Sequence, residues 1–175
     1  GTVLYMMNHS LVKLALFLFA GVVYYNTHAL DLNDIKGFGR KKPLLHVLFL
    51  CGACSLAGIP GFLGYLSKTL VHEALVEYAH MSGMTLITVV EWLFLFSGGL
   101  TAAYLTKIYV AIFWQKGKES GRQWGKPLSV IALCLAAVAL PVLGLTPHAI
   151  AEKISGATLD FTGGHAFDHA IHYFA

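Results

Sequence analysis

The sequence predicts an all-α, polytopic transmembrane helix bundle. Of its 175 residues, 57 % are hydrophobic and only 12 % are charged, a composition well outside that of ordinary soluble domains. Apolar stretches cover residues 2–25, 44–80, 84–114 and 128–146, and each can supply the roughly 20 helical residues that cross a bilayer. We therefore expect four membrane crossings.

The two ends of the sequence favour a piece of a longer protein. The first residues are apolar, with no initiating Met, basic region or cleavage site, so no signal peptide is predicted. The end, DHAIHYFA, stops on amphipathic sequence. We expect further residues on both sides.

The first span reads YMMNHSLVKLALFLFAG over residues 5–21 and carries a lysine near its centre. A charge at that depth costs a few kcal/mol on insertion scales and is functional by default. His9 precedes Lys13 by four residues and so shares its helical face. Because histidine exchanges protons near neutral pH, the pair is predicted to lie on a proton path.

The second span is too long for one straight crossing. Residues 44–80 would extend about 55 Å as a continuous helix, against about 30 Å of hydrocarbon. Four residues that weaken or interrupt a helix stand in the segment AGIPGFLGYLSK, namely Gly58, Pro60, Gly61 and Gly64. Discontinuous helices build ion sites near the membrane midplane. Lys68 follows the predicted break, and His72 lies one turn further on the same face, so both are predicted to belong to the proton relay.

Four more charged residues fall within the predicted spans. Glu73 and Glu77 lie in the outer half of the broken helix, where they either line an exit or pair with other helices. Glu91 in the third span has the same two interpretations, because intramembrane carboxylates face a bundle interior or a cavity. Lys107 either lines a proton path or, because it lies close to the next loop, reaches the headgroups instead.

The positions of Lys and Arg predict the orientation of the chain. Eight of the twelve fall in the loops after the first and third spans: Lys36, Arg40, Lys41, Lys42, Lys116, Lys118, Arg122 and Lys126. Cytoplasmic loops collect such residues, so both loops are predicted on the cytoplasmic side. The loop THALDLNDIKGFGRKKP could also dock a neighbouring protein or anionic headgroups.

Several motifs in collinear order resemble one family. HSLVKLALFLFAG is similar to the His-x-x-x-Lys helix, and SLAGIPGFLGYLSK to the broken helix, of the antiporter-like membrane subunits of respiratory complex I. The same family includes membrane-bound hydrogenases and multisubunit sodium/proton antiporters. GGLTAAYLTKIYVAIFW looks like the helix that follows, so the resemblance runs from about residue 2 to residue 114.

The resemblance implies an inverted-repeat fold with a proton relay of buried lysines and histidines. Residues 1–114 would be the latter part of the second repeat, 115–146 a cytoplasmic loop with a trailing transmembrane helix, and 147–175 an external amphipathic tail. Lys13 would be the central relay lysine, His9 its proton-passing neighbour and Lys68 the lysine that exchanges protons with the outside. The implied location is an energy-transducing inner or cytoplasmic membrane.

The resemblance also implies partners, namely other membrane subunits and a peripheral redox arm. No cofactor is expected in this chain, whereas iron–sulfur clusters with flavin or nickel–iron are expected in partner subunits. Two departures leave the exact family member open: Tyr5 stands where many relatives have a second histidine, and Thr69 where some have aspartate. Tyr5 is nevertheless a candidate for lining the channel. NADH-quinone oxidoreductase, a hydrogenase and a stand-alone antiporter remain alternatives, as does a structural spacer whose charges only pair internally.

Two further patterns carry weaker signals. Cys51 and Cys54 form a C-x-x-C inside an apolar helix, too few thiols for a four-thiolate cluster, so packing is the favoured interpretation. His165, His169 and His172 form one helical stripe, which suits either zinc or an interfacial amphipathic helix. We expect no metal in the chain.

Overall fold

The computed structural model describes residues 2–83, 85–117 and 127–146, and all regular structure in these ranges is helical. The helices, in chain order, are α1 (Thr2–Thr27), α2 (Pro43–Ala57), α3 (Leu63–Ser82), α4 (Thr85–Tyr109) and α5 (Pro127–Leu145). A π-helical turn, Val110–Trp114, continues α4. The predicted all-α bundle is confirmed. The predicted external tail lies outside the described residues.

Three of the described helices are long and apolar enough to cross a membrane: α1, α4 with its π-helical turn, and α5. The second predicted span corresponds to two helices in series. With 15 residues, α2 is only about 22 Å long, too short for a bilayer, and α3 continues it after an interruption. Four predicted spans therefore correspond to five helices.

The interruption of the second span, residues 58–62, is called the break below. Gly58 ends α2 in the left-handed conformation with φ of 84°, and its N–H donates to the carbonyls of Cys54 and Ser55. Glycine adopts such a φ without the cost a Cβ imposes. Because Pro60 follows, the helix cannot resume at once, and α3 begins only at Leu63. The predicted discontinuity is confirmed.

Gly64 does not belong to the break, contrary to the sequence-based expectation. It lies in the first turn of α3 and is buried, and a Cβ there would overlap the backbone carbonyl of Ser55. Gly144 of α5 packs on the break in the same manner, since its Cβ would come within 2.6 Å of the Gly61 oxygen. Both glycines allow close packing of one backbone against another. The tendency of glycine to interrupt a helix does not predict this role.

An apolar layer fills the bundle alongside α2. Its centre is a group of aromatic rings, with centroids 5.0 Å apart for Phe19 and Phe49 and 5.8 Å apart for Phe49 and Phe113. Aromatic pairs at these separations pack favourably. Buried aliphatic residues complete the layer, among them Leu45, Leu48, Ala53, Leu105 and Leu133. The apolar layer thus separates the first turn of α2 from the break at its other end.

The loop before α2 is clasped onto the π-helical turn. The N–H groups of Gly37 and Gly39 donate to the carbonyls of Ala111 and Ile112, both at 3.0 Å. A helix end leaves such carbonyls without intrahelical partners, and the loop supplies them. The charge pattern of the segment GFGRKKP does not predict this contact.

Lys42 ends this loop in an unusual environment for an ammonium group. It is only 2 % exposed, its Nζ lies 3.5 Å from the centroid of the Phe38 ring, and among the described residues that Nζ has no hydrogen-bond partner. Burial lowers the pKa of Lys42 from 10.5 to about 8, because desolvation disfavours the charged form.

We expect the clasped loop to become more stable as the pH rises from about 8 towards 10.5. In this window the open loop binds more protons at Lys42 than the closed loop does, so closure is favoured by raising the pH. Lys42→Met should abolish this dependence. Hydrogen exchange of residues 37–42, corrected for the intrinsic exchange rate, measures it. Arg40→Gln, at an exposed position, is the control, and an unchanged pH dependence in Lys42→Met would contradict the assignment.

Gly64→Ala is expected to destabilise the protein by about 1–3 kcal/mol, the usual cost of forcing extra volume into a packed interior. The added methyl group must displace the Ser55 carbonyl at the end of α2. Gly99→Ala in α4 is the matched control, since no atom lies within 4 Å of its added Cβ. Thermal unfolding of both variants in detergent provides the comparison, and equal midpoints would show that the close approach is not needed.

Candidate functional site

Lys68 binds the end of α2 across the break. Its Nζ donates to the carbonyl oxygens of Leu56 at 2.8 Å and Ala57 at 3.1 Å. These are two of the carbonyls that a helix leaves unpaired at its C-terminus, where the helix dipole also favours a positive charge. The lysine therefore takes the place of the backbone donors that the break removes.

The Lys68 side chain lines a cavity of about 400 Å³ between α1, the break, α3 and α4. Its polar lining comprises Tyr5, Tyr65, Lys68, Thr69, His72, Ser97 and Thr101. The hydroxyl groups of Thr69 and Thr101 donate to carbonyls of their own helices, so their oxygens can accept from a group inside the cavity. Unwound backbone at membrane depth is tolerated beside a cavity of this kind.

His72 connects the cavity to α4 through an acidic partner. Its Nε2 lies 3.1 Å from Oε1 of Glu91, so the imidazole N–H donates to the carboxylate. The two side chains are 35 % and 22 % exposed, and the pair is therefore partly shielded. The sequence left the partner of Glu91 open, and the structure gives it as His72.

The predicted relay residues of α1, His9 and Lys13, form one stripe with Tyr5, and this stripe begins at the cavity. Tyr5 lines the cavity, and its ring stacks with that of His9 at a centroid distance of 6.3 Å. Lys13 continues the stripe one turn further and is exposed in the described part of the chain. Tyr5, Lys68 and His72 thus meet at one site, His9 lies beside it, and Lys13 lies further along α1.

Three other predicted residues lie elsewhere. Glu73 and Glu77 are exposed on α3, and Lys107 is exposed on α4; none of them lines the cavity. No group of three metal-ligating side chains occurs among the described residues. The His165, His169 and His172 stripe lies outside them.

Sequence analysis missed one polar contact beside the site. Ser55 Oγ donates to Asn8 Oδ1 at 2.8 Å, and both residues are buried. Asn8 belongs to a buried row of α1 whose other members, such as Leu4 and Val12, are apolar. A polar residue within an otherwise apolar helical row needs a hydrogen-bond partner, so Asn8 is the sequence feature that indicates this contact.

These features define a class of protein: a multi-span helical membrane protein with a lysine held at the break of a discontinuous helix. The chain belongs to the family described as NADH:quinone oxidoreductase/Mrp antiporter, transmembrane, which matches residues 1–94. The resemblance inferred from the motifs of α1, α2 and α3 is thereby confirmed.

Individual relatives include both antiporter and quinone oxidoreductase subunits. The chain is 34 % identical to a Na(+)/H(+) antiporter subunit of Alkalihalophilus pseudofirmus, over 91 % of this chain and 33 % of that protein. It is 30 % identical to an NAD(P)H-quinone oxidoreductase chain 4 of Picosynechococcus sp., over 91 % of this chain and 30 % of the relative. An NAD(P)H-quinone oxidoreductase chain 4 of Synechococcus elongatus is 32 % identical, over 65 % of this chain and 21 % of that relative. The chain thus spans a third or less of the length of these curated relatives.

A double-mutant cycle on His72 and Glu91 should show strong coupling. We expect His72→Phe and Glu91→Leu each to destabilise the protein, and the double variant to be less destabilised than the two effects combined. Contacting residues commonly interact by about 0.5–3 kcal/mol, and each single variant leaves one polar group of the pair unpartnered. Thermal unfolding of the three variants in detergent is the readout.

Glu73→Leu is the control for this cycle because Glu73 is adjacent to His72 in sequence but exposed. It should show no coupling to Glu91→Leu. Additive effects of His72→Phe and Glu91→Leu would show that the pair does not act as a unit.

Proposed function

We propose that this chain is part of an ion-translocating membrane subunit that carries protons through the Lys68 cavity. The observation that carries the proposal is the position of Lys68, a lysine bonded to the open end of a broken helix and lining a polar cavity. Lysines within membrane spans are functional by default, and broken helices build ion sites. Membership of the family supports the same function.

The two carbonyl bonds make Lys68 suited to releasing one proton. An ammonium group has three N–H donors, and the carbonyls of Leu56 and Ala57 use two of them. The third proton is free for a partner in the cavity. Because a neutral amine still has two N–H groups, both carbonyl bonds survive when that proton leaves. Protonation can therefore change without reopening the end of α2.

The neighbouring groups give this proton a source and a destination. The Tyr5 hydroxyl both donates and accepts, and its contact with His9 links the cavity to the α1 stripe that ends at Lys13. On the other side, His72 accepts a proton and Glu91 stabilises the resulting imidazolium charge. The proposed order is Lys13, His9, Tyr5, Lys68, His72 and Glu91, with waters in the cavity bridging the longer gaps.

The driving force distinguishes two candidate functions. In the first, the chain belongs to a redox-driven pump of the NADH-quinone oxidoreductase type or of the hydrogenase type, in an energy-transducing inner or cytoplasmic membrane. Its partner subunits then carry iron–sulfur clusters with flavin or nickel–iron, and the two quinone oxidoreductase relatives support it. The second is a component of a multisubunit sodium/proton antiporter, which the relative at 34 % identity supports.

Lys68→Met should lower proton transport about tenfold or more, corresponding to about 1.4 kcal/mol or more of barrier. Methionine fills a similar volume but has no proton to release and no donor for the α2 carbonyls. Proton uptake by vesicles containing the complete complex, normalised to the amount of assembled protein, is the measurement. Lys116→Met, at an exposed loop position, is the matched control. If the double variant Lys68→Met, Lys13→Met transports protons at the wild-type rate, only a structural role remains for these lysines.

Isolation of the native complex should separate the two driving forces. We expect mass spectrometry of the gently solubilised complex to find companion subunits of the kind that bind iron–sulfur clusters and flavin or nickel. Metal analysis of the same complex should find iron. A complex of membrane subunits without iron would establish the antiporter instead. In that case loss of this chain should sensitise cells to sodium at alkaline pH, which a redox-driven pump does not predict.

A further inference from the structure

Asn8 is a buried amide on the same helix as the relay stripe but on a different face. It is 2 % exposed and belongs to the row of α1 that packs into the bundle. Its neighbour His9 belongs to the stripe with Tyr5 and Lys13. One turn of α1 therefore holds both a proton-exchanging side chain and a buried polar side chain with no proton to exchange.

The bonding partner of Asn8 lies at the point where α2 ends. Ser55 Oγ donates to Asn8 Oδ1 at 2.8 Å, and Ser55 is fully buried. The backbone carbonyl of Ser55 accepts from the N–H of Gly58 and contacts Gly64 of α3. A single residue thus joins α1, the end of α2, the break and the start of α3.

Ser55 also immediately precedes the two carbonyls that hold Lys68. Leu56 and Ala57 accept the ammonium bonds, and the peptide units of residues 55–57 form one continuous helical turn. A shift of Ser55 along α1 would therefore move the anchor of Lys68 relative to Tyr5. The Asn8–Ser55 bond joins α1 to α2 at the point where such a displacement would occur.

Bulk stability is a poor explanation for this bond. Polar bonds between membrane helices contribute little net stability, because the separated helices also find partners. Proton transfer, by contrast, depends steeply on distance, and a displacement of about 1 Å can cost about a hundredfold in rate. The bond lies between the α1 stripe and the anchor of Lys68. Its position therefore suits the control of a proton-transfer distance better than a contribution to stability.

We propose that Asn8 is a positioning residue whose bond to Ser55 fixes the height of α1 against the end of α2, keeping Tyr5 and His9 beside Lys68. The inference rests on the proposed proton path through Lys68. Asn8 itself carries no proton along that path.

The test uses vesicles containing the complete complex, with transport normalised to assembled protein. Asn8→Leu and Ser55→Ala remove the bond from opposite ends, and each should lower proton transport between about tenfold and a hundredfold. The double variant should be no slower than the slower single variant, since both remove the same bond. Asn8→Asp keeps an oxygen that accepts from Ser55 and should retain most of the transport. Ser10→Ala is the matched control, because the Ser10 hydroxyl donates within α1 to Met6.

A second readout separates positioning from folding. If the bond sets a proton-transfer distance, the ratio of transport in H₂O to transport in D₂O should rise in Asn8→Leu and Ser55→Ala. Normal transport in Ser55→Ala, or lowered transport with an unchanged isotope ratio, would overturn the positioning role. Ser55→Ala changes little volume and so keeps the test open if Asn8→Leu fails to assemble.

Lys68→Met measured in the same membranes distinguishes the two levels of the proposal. Normal transport in Lys68→Met would overturn the proton path and the positioning role with it. Lost transport in Lys68→Met together with normal transport in both bond-removing variants would overturn the positioning role alone.

Discussion

The constraint on which this structure depends is that no backbone polar group can be left unpartnered in hydrocarbon. The break in the second span violates helical pairing at the end of α2, and the chain restores it with a side chain. Lys68 donates to the Leu56 and Ala57 carbonyls, while Gly58 donates to the turn before them. The interrupted helix supplies acceptors for the partly buried lysine, and the lysine supplies donors for the interrupted helix, so each offsets the cost of the other.

The packing around the break follows from the same requirement. Gly64 and Gly144 let the backbones of α3 and α5 approach the interrupted segment closely, and close approach replaces the van der Waals contacts that lipid would otherwise supply. α1 contributes from its two faces. Its buried row binds Ser55 through Asn8, and its polar stripe reaches the cavity at Tyr5.

Sequence reasoning predicted the features that depend on local chemistry. The length of residues 44–80 and the Gly-Ile-Pro-Gly segment were enough to predict a discontinuous span, because helix length and backbone freedom are properties of the chain itself. The site was predictable as a set of candidates around Lys68, since charges in apolar spans are few. The pairing of His72 with Glu91 was not, because it depends on how α3 and α4 turn back on each other.

The contacts that were missed are those decided by tertiary packing. Gly61 and Gly64 are both glycines of the same short segment, so the sequence does not distinguish them. Gly61 nevertheless lies in the break, whereas Gly64 lies in α3. The clasp of Gly37 and Gly39 on the π-helical turn joins segments more than 70 residues apart, which no local pattern encodes.

The apolar layer along α2 has an electrical consequence. Packed phenylalanine and leucine side chains form a medium of low dielectric constant, in which a charge is poorly solvated. An ion that left the cavity along α2 would have to cross this layer without polar partners. The layer that holds the bundle together therefore also acts as electrical insulation between the first turn of α2 and the break.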